Sequence, residues 1–124
     1  MPDLSTISIS LFGISALVAG LQTLLAPSTS QSAFELPPSA LPAIKAMSLA
    51  SIAMGIYYNL AAYQNNRAFY ALSVPMRTLT AIIFWGQGGL WKTASVWEGG
   101  SAALTGLALL WELRSRNVEK RYSN

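Results

Sequence analysis

Three charged side chains stand where charge is expensive: Lys45, Arg77 and Glu98 each lie within or at the edge of a long apolar stretch. A charged residue inside a membrane helix is costly, so it marks a site or a buried partner. A carboxyl group held in an apolar cavity can keep a proton and deliver it. Arg77 and Lys45 beside it could orient Glu98 or stabilise developing negative charge. The set points to acid–base catalysis, with Glu98 as proton carrier. Tyr57, Tyr58, Asn59, Trp85, Gln87, Trp91 and Trp97 are the candidates for the walls of a substrate site, suited to a flat or apolar molecule. Each of the three charges also has a structural reading. Lys45 could snorkel to the membrane interface. Glu98 could sit favourably at a helix N-terminus. Arg77 could bond carbonyls freed by Pro75.

The remaining composition narrows the chemistry. The chain has neither His nor Cys, which removes disulfides, thiol nucleophiles, imidazole bases and most zinc sites. No cofactor and no metal is expected. A Ser–Lys pair from Lys45 and Ser48 is geometrically conceivable, although serines on helix faces usually bond back to their own backbone. Gly88-Gly89 and Gly99-Gly100 lack the spacing of a phosphate loop and read as turn and close packing. With a net charge of only +3 and no basic stripe, nucleic acid is not an expected partner.

These residues need elements to position them. Charged residues make up 10% of the 124-residue chain, against about 25% in soluble domains. The apolar runs 4–25 and 43–63 each match the ~20 residues a spanning helix needs. Two further spans are expected over 68–91, kinked at Pro75, and over 96–113. Residues 27–42, with four prolines and four serines, read as a loop, and 114–124 as a basic tail. The turn before the fourth span is placed at Gly88-Gly89 and 92–95. The N-terminal run follows Asp3 with no Lys or Arg, which argues against a cleaved signal peptide. The expected fold is all-α, a single four-helix transmembrane bundle running up-down-up-down. Arg67, Arg114, Arg116, Lys120 and Arg121 fall on the side of the termini, which places both termini in the cytoplasm.

Small-residue pairs, Ala16 with Gly20 and Ser51 with Gly55, promise close helix approach. They also leave room for a homo-oligomer. Depth along the helices makes Glu98 the preferred partner of Arg77, with Glu112 and Asn59 as rivals.

The stretches AFELP, AIKAMSLASIAMGIYYNLAAYQNNRAF, PMRTLTAIIFWGQGG and VWEGGSAALTGLALL resemble a family of small four-helix integral membrane proteins of unknown function, common in fungi. Members occur in secondary-metabolite gene clusters. The resemblance implies epoxide opening, cyclisation or isomerisation of an apolar polyketide or terpenoid intermediate in the endoplasmic reticulum membrane. The expected partners are then the lipid bilayer and a hydrophobic small-molecule substrate. The alternative is a non-catalytic membrane scaffold or accessory subunit.

Overall fold

The structure, a computed structural model, describes residues 2–124. The described chain is all-helical: α1 (Leu4–Leu25), α2 (Pro27–Ala33), a 3-10 turn (Pro38–Ala40), α3 (Leu41–Tyr63), α4 (Arg67–Gln87) and α5 (Leu90–Ser123). The segments Leu4–Leu25, Pro38–Tyr63 and Arg67–Gln87 are long and apolar enough to cross a membrane. The stretch around Glu98, Gly99-Gly100 and Glu112 leaves α5 outside that group.

Tight turns set the order. Asn65 has φ of 51° in the α3–α4 turn. Asn66 then caps α4, its side chain accepting from the Phe69 N–H at 3.1 Å. This satisfies one of the free donors of the first turn. Gly88 and Gly89 have φ of 72° and 56°, a region open to glycine at little cost, and they reverse the chain into α5.

Two helix pairs make the bundle, α1 with α3 and α4 with α5. In the first pair the backbones nearly touch. A Cβ at Gly55 would lie 2.6 Å from the Gly13 carbonyl oxygen, and one at Gly20 would lie 2.9 Å from that of Ser48. Ser51 donates to the Ala16 carbonyl across the same seam at 2.7 Å. The core between the pairs is small and aromatic: Ile9, Phe12, Tyr58, Ala61 and Tyr70.

The polarity of the molecule is inverted. Ser5, Ser48, Ser73, Arg77, Ser95, Glu98, Thr105 and Glu112 are buried, while Leu11, Leu72, Ile82, Leu104, Leu107 and Leu110 are more than half exposed. A soluble bundle would show the reverse.

Four features differ from the sequence reading. Residues 27–33 form α2 within the expected 27–42 loop, because Pro27 stands in its first turn, where its missing N–H costs nothing. The turn before α5 is only Gly88-Gly89, so Lys92 to Ser95 are helical and Trp91 belongs to α5. Residues 114–123 are a continuation of α5 instead of a free tail. Arg, Glu and Lys are good helix formers, and Arg116 reaches Asp3 at 3.7 Å. Finally, Arg77 pairs with none of its expected partners, as described next.

Candidate active site

Arg77 is 3% exposed, and its cation is held by hydroxyls. Nη1 donates to Ser101 Oγ at 3.0 Å, and Nη2 donates to Thr105 Oγ1 at 2.9 Å and to Ser73 Oγ at 3.3 Å. The guanidinium also lies over the Phe12 ring, 4.4 Å from its centroid, and 5.7 Å from that of Tyr58. Such stacking is worth most where water is excluded. Its Nε has no partner among the described residues. None of its hydrogen bonds among them goes to a carboxylate or a carbonyl.

The rival partners are engaged elsewhere. Glu112 accepts from the Ser5 backbone N–H at 2.9 Å and from Ser5 Oγ at 2.7 Å, and is ion-paired with Arg67. Arg67 also holds Asp3 at 2.8 Å. Asn59 accepts from Ser10 and donates to the Gly55 carbonyl.

Glu98 is the reverse case. It is 6% exposed, yet its carboxyl accepts no hydrogen bond from the described residues and forms no ion pair with them. It borders a cavity of about 460 Å³ at the end of the bundle away from the termini. Of the cavity's lining residues, only Glu98 is ionisable. Phe34, Phe84, Trp91 and Trp97 give aromatic walls, and Ile44, Met47 and Met54 give flexible apolar ones. Phe34 and Phe84 pack on Trp91, with centroids 4.5 Å and 4.9 Å away. The lining serines spend their protons elsewhere: Ser30 on Thr23, Ser48 on the Lys45 carbonyl, Ser51 on the Ala16 carbonyl.

Arg77 does not line this cavity, but it acts on it indirectly. Ser101, which accepts from Arg77, donates to the Glu98 carbonyl oxygen at 3.0 Å. Arg77 is thus tied through Ser101 to the turn that carries Glu98.

Of the expected site residues, Glu98, Trp91 and Trp97 meet at the cavity, and Arg77 and Tyr58 stand behind it. Lys45 does not join them. Its neighbours Ile44 and Ser48 face inward, which turns Lys45 outward. Tyr57 and Trp85 are mostly exposed, and Gln87 is exposed at the end of α4. Lys92 lies 4.8 Å from the Trp85 ring centroid. The Ser48 back-bond also removes the Ser–Lys pair. The hydroxyl cage of Ser73, Ser101 and Thr105 is the part that sequence reasoning misses. Its one signal is Thr105, on the same helical stripe as Glu98, Ala102 and Glu112.

Comparison with known proteins adds nothing to this geometry: no protein family, curated protein or solved structure matches the chain.

Proposed function

We propose that the chain is an integral-membrane enzyme that opens, cyclises or isomerises an apolar polyketide or terpenoid intermediate by acid–base chemistry without a cofactor. The observation that carries this reading is Glu98, a buried residue whose carboxyl has no partner among the described residues, on the wall of a mostly apolar cavity. A structural carboxylate would be paired, as Glu112 is.

In this reading α5 is a fourth span. Its polar face is turned inward, and Leu104, Leu107 and Leu110 face outward, each 65% exposed. The charge distribution then puts both termini in the cytoplasm and the cavity in the lumenal half of an endoplasmic reticulum membrane. The likeness to the small fungal membrane proteins belongs to the same proposal.

For an epoxide the steps balance without any other reagent. The Glu98 proton passes to the epoxide oxygen as its C–O bond breaks. A substrate hydroxyl or a water attacks the carbon, and its proton returns to the Glu98 carboxylate. Apolar walls limit competing water, and the Arg77–Ser101 link fixes the turn bearing Glu98.

Glu98→Gln keeps the shape and removes the proton. Turnover of epoxidised intermediates by membranes carrying this variant is expected to fall by at least about a hundredfold, with the helical content unchanged. Retained turnover overturns the assignment. The scaffold reading draws on the Asp3–Arg67–Glu112 cluster and the Arg77 cage, which satisfy charge internally. Under it, no added small molecule turns over, and Glu98→Gln changes only stability.

A further inference from the structure

The Glu98 cavity has two unlike ends. Along α5, seven residues separate Trp91 from Glu98, a rise of ~10 Å, and both line the cavity. Trp91 packs against Phe84 of α4 and against Phe34, just beyond α2, with centroids 4.9 Å and 4.5 Å away. Glu98 therefore lies well inside an aromatic collar. Toward α1, Trp97 shuts the cavity. It stacks on Phe12 with centroids 4.6 Å apart, and its Nε1 donates to Ser15 Oγ at 3.1 Å.

The side formed by α2 is fastened differently. The Glu35 N–H donates to the Ser32 carbonyl and the Leu36 N–H to that of Gln31, with Glu35 in left-handed backbone at φ of 54°. Such a pair of bonds is a Schellman closure, so residues 27–36 keep their shape by their own bonds. Little ties that unit to the bundle. No residue of α2 is buried, and its sequence, PSTSQSA, offers no apolar face. Among the described residues, its one side-chain hydrogen bond to another element runs from Ser30 Oγ to Thr23 Oγ1 at 3.2 Å. What remains is Phe34 on Trp91, with Leu36 beside it on the cavity wall. A segment with so few buried contacts belongs to the low-stability end of a fold. At both ends of the unit the chain leaves helical geometry: Ala26 has φ of −137° and ψ of 66°, and Pro37 is extended.

We infer that residues 27–36 are a lid on the Glu98 cavity, latched by Phe34 against Trp91. The reacting molecule reaches Glu98 when the lid swings away. This rests on the proposed function only for what happens at Glu98, and not for the route to it. The polar sequence of α2 suits the edge of a membrane, so entry is from that edge and not sideways from the bilayer core.

The chain has no Cys, so two introduced thiols can pair only with each other. Thr23→Cys with Ser30→Cys replaces two hydroxyls 3.2 Å apart, and the disulfide between them pins the lid shut. Dicyclohexylcarbodiimide reads access to Glu98 without turnover, on the full-length protein in phosphatidylcholine vesicles. The carboxyl O–H adds across the N=C=N group, and acyl shift to nitrogen leaves a stable N-acylurea. Mass spectrometry follows the adduct on Glu98, with Glu98→Gln as the blank. All rates are compared in the same vesicles, so partitioning of the reagent cancels.

The oxidised pair is expected to label at least about tenfold more slowly than the reduced pair. The same thiols capped as methyl disulfides add bulk without a bridge, and are expected to label at the reduced rate. Phe34→Ala removes the latch. It is expected to label about two- to tenfold faster than the parent, the value of one aromatic pair, and to lose that gain once the cysteine pair is oxidised beside it. Equal labelling of the oxidised and reduced pairs overturns the lid and leaves entry from the bilayer. A capped pair as slow as the oxidised one overturns it too, because bulk alone then explains the slowing. So does a Phe34→Ala gain that persists behind the disulfide, or the lack of any gain. Turnover that survives Glu98→Gln overturns the function alone and leaves these labelling rates standing.

Discussion

The guanidinium of Arg77 donates to three hydroxyls and rests on an aromatic face, in a place where a carboxylate would be the ordinary partner. Hydrogen bonds from a charged donor contribute about 1.5–3 kcal/mol each. Arg77→Lys keeps the charge but cannot reproduce the fork that spans Ser101 and Thr105. It is expected to cost about 2–4 kcal/mol, read as a lower thermal midpoint in detergent. At the other end, Glu112→Ala strands the Arg67 guanidinium beside a half-exposed Asp3 and is expected to cost about 3 kcal/mol. Asp3→Ala, removing a more exposed partner, should cost less than about 1 kcal/mol. Comparing the two midpoints checks the ranking. The burial of Arg77 is legible in the sequence, because a charge in the middle of an apolar run is stable only when turned toward the protein interior. Its partners are not legible, because a count of depth along one axis ranks carboxylates and overlooks hydroxyls on a neighbouring helix. Lys45 shows the same limit. One residue of helix rotation, about 100°, separates the inward Ile44 from the outward Lys45.

At the scale of elements, α1 and α3 are locked by glycines whose missing side chains admit the facing backbone. Gly55→Ala would push a methyl group to 2.6 Å from the Gly13 carbonyl oxygen and 2.8 Å from the Leu17 N. Backbone cannot step aside as a flexible side chain can, so the expected loss is about 2–3 kcal/mol. Gly100 has nothing within 4 Å of the same position, and Gly100→Ala should instead gain about 0.5–1 kcal/mol from helix propensity. Opposite shifts of the thermal midpoint in these two variants check the seam. The small-residue pairs are readable at Ala16, Gly20, Ser51 and Gly55, because their spacing of four marks one face. The part played by Gly13 is not, since it depends on where α3 crosses α1. The proline-rich segment reads as loop because its composition hides the short helix that Pro27 itself starts.

Across the whole molecule, inverted polarity is the feature that composition announces most clearly. What composition leaves open is whether α5 belongs with the three apolar helices, because its polar residues count against it although the fold buries them. The chain has no Cys, so a single introduced thiol reports alone. With four spans, Asn65→Cys and Ser123→Cys are expected to react with an impermeant maleimide from one side of a sealed vesicle, and Ser39→Cys from the other. Reaction of Ser123→Cys from the side of Ser39→Cys would leave α5 outside the bilayer. If α5 is a fourth span, its inward polar stripe would also set an order of biogenesis. A carboxylate costs up to about 2.5–3.5 kcal/mol at a span's centre, and α5 carries two, Glu98 and Glu112, close to the two ends of the proposed span. Leaving the translocon alone, it would face lipid with both. Leaving after α4, it finds Ser95 received by the Ala81 carbonyl and Thr105 by Arg77. With four spans, the first three long helices would be the template and α5 would enter the bilayer last, as their client.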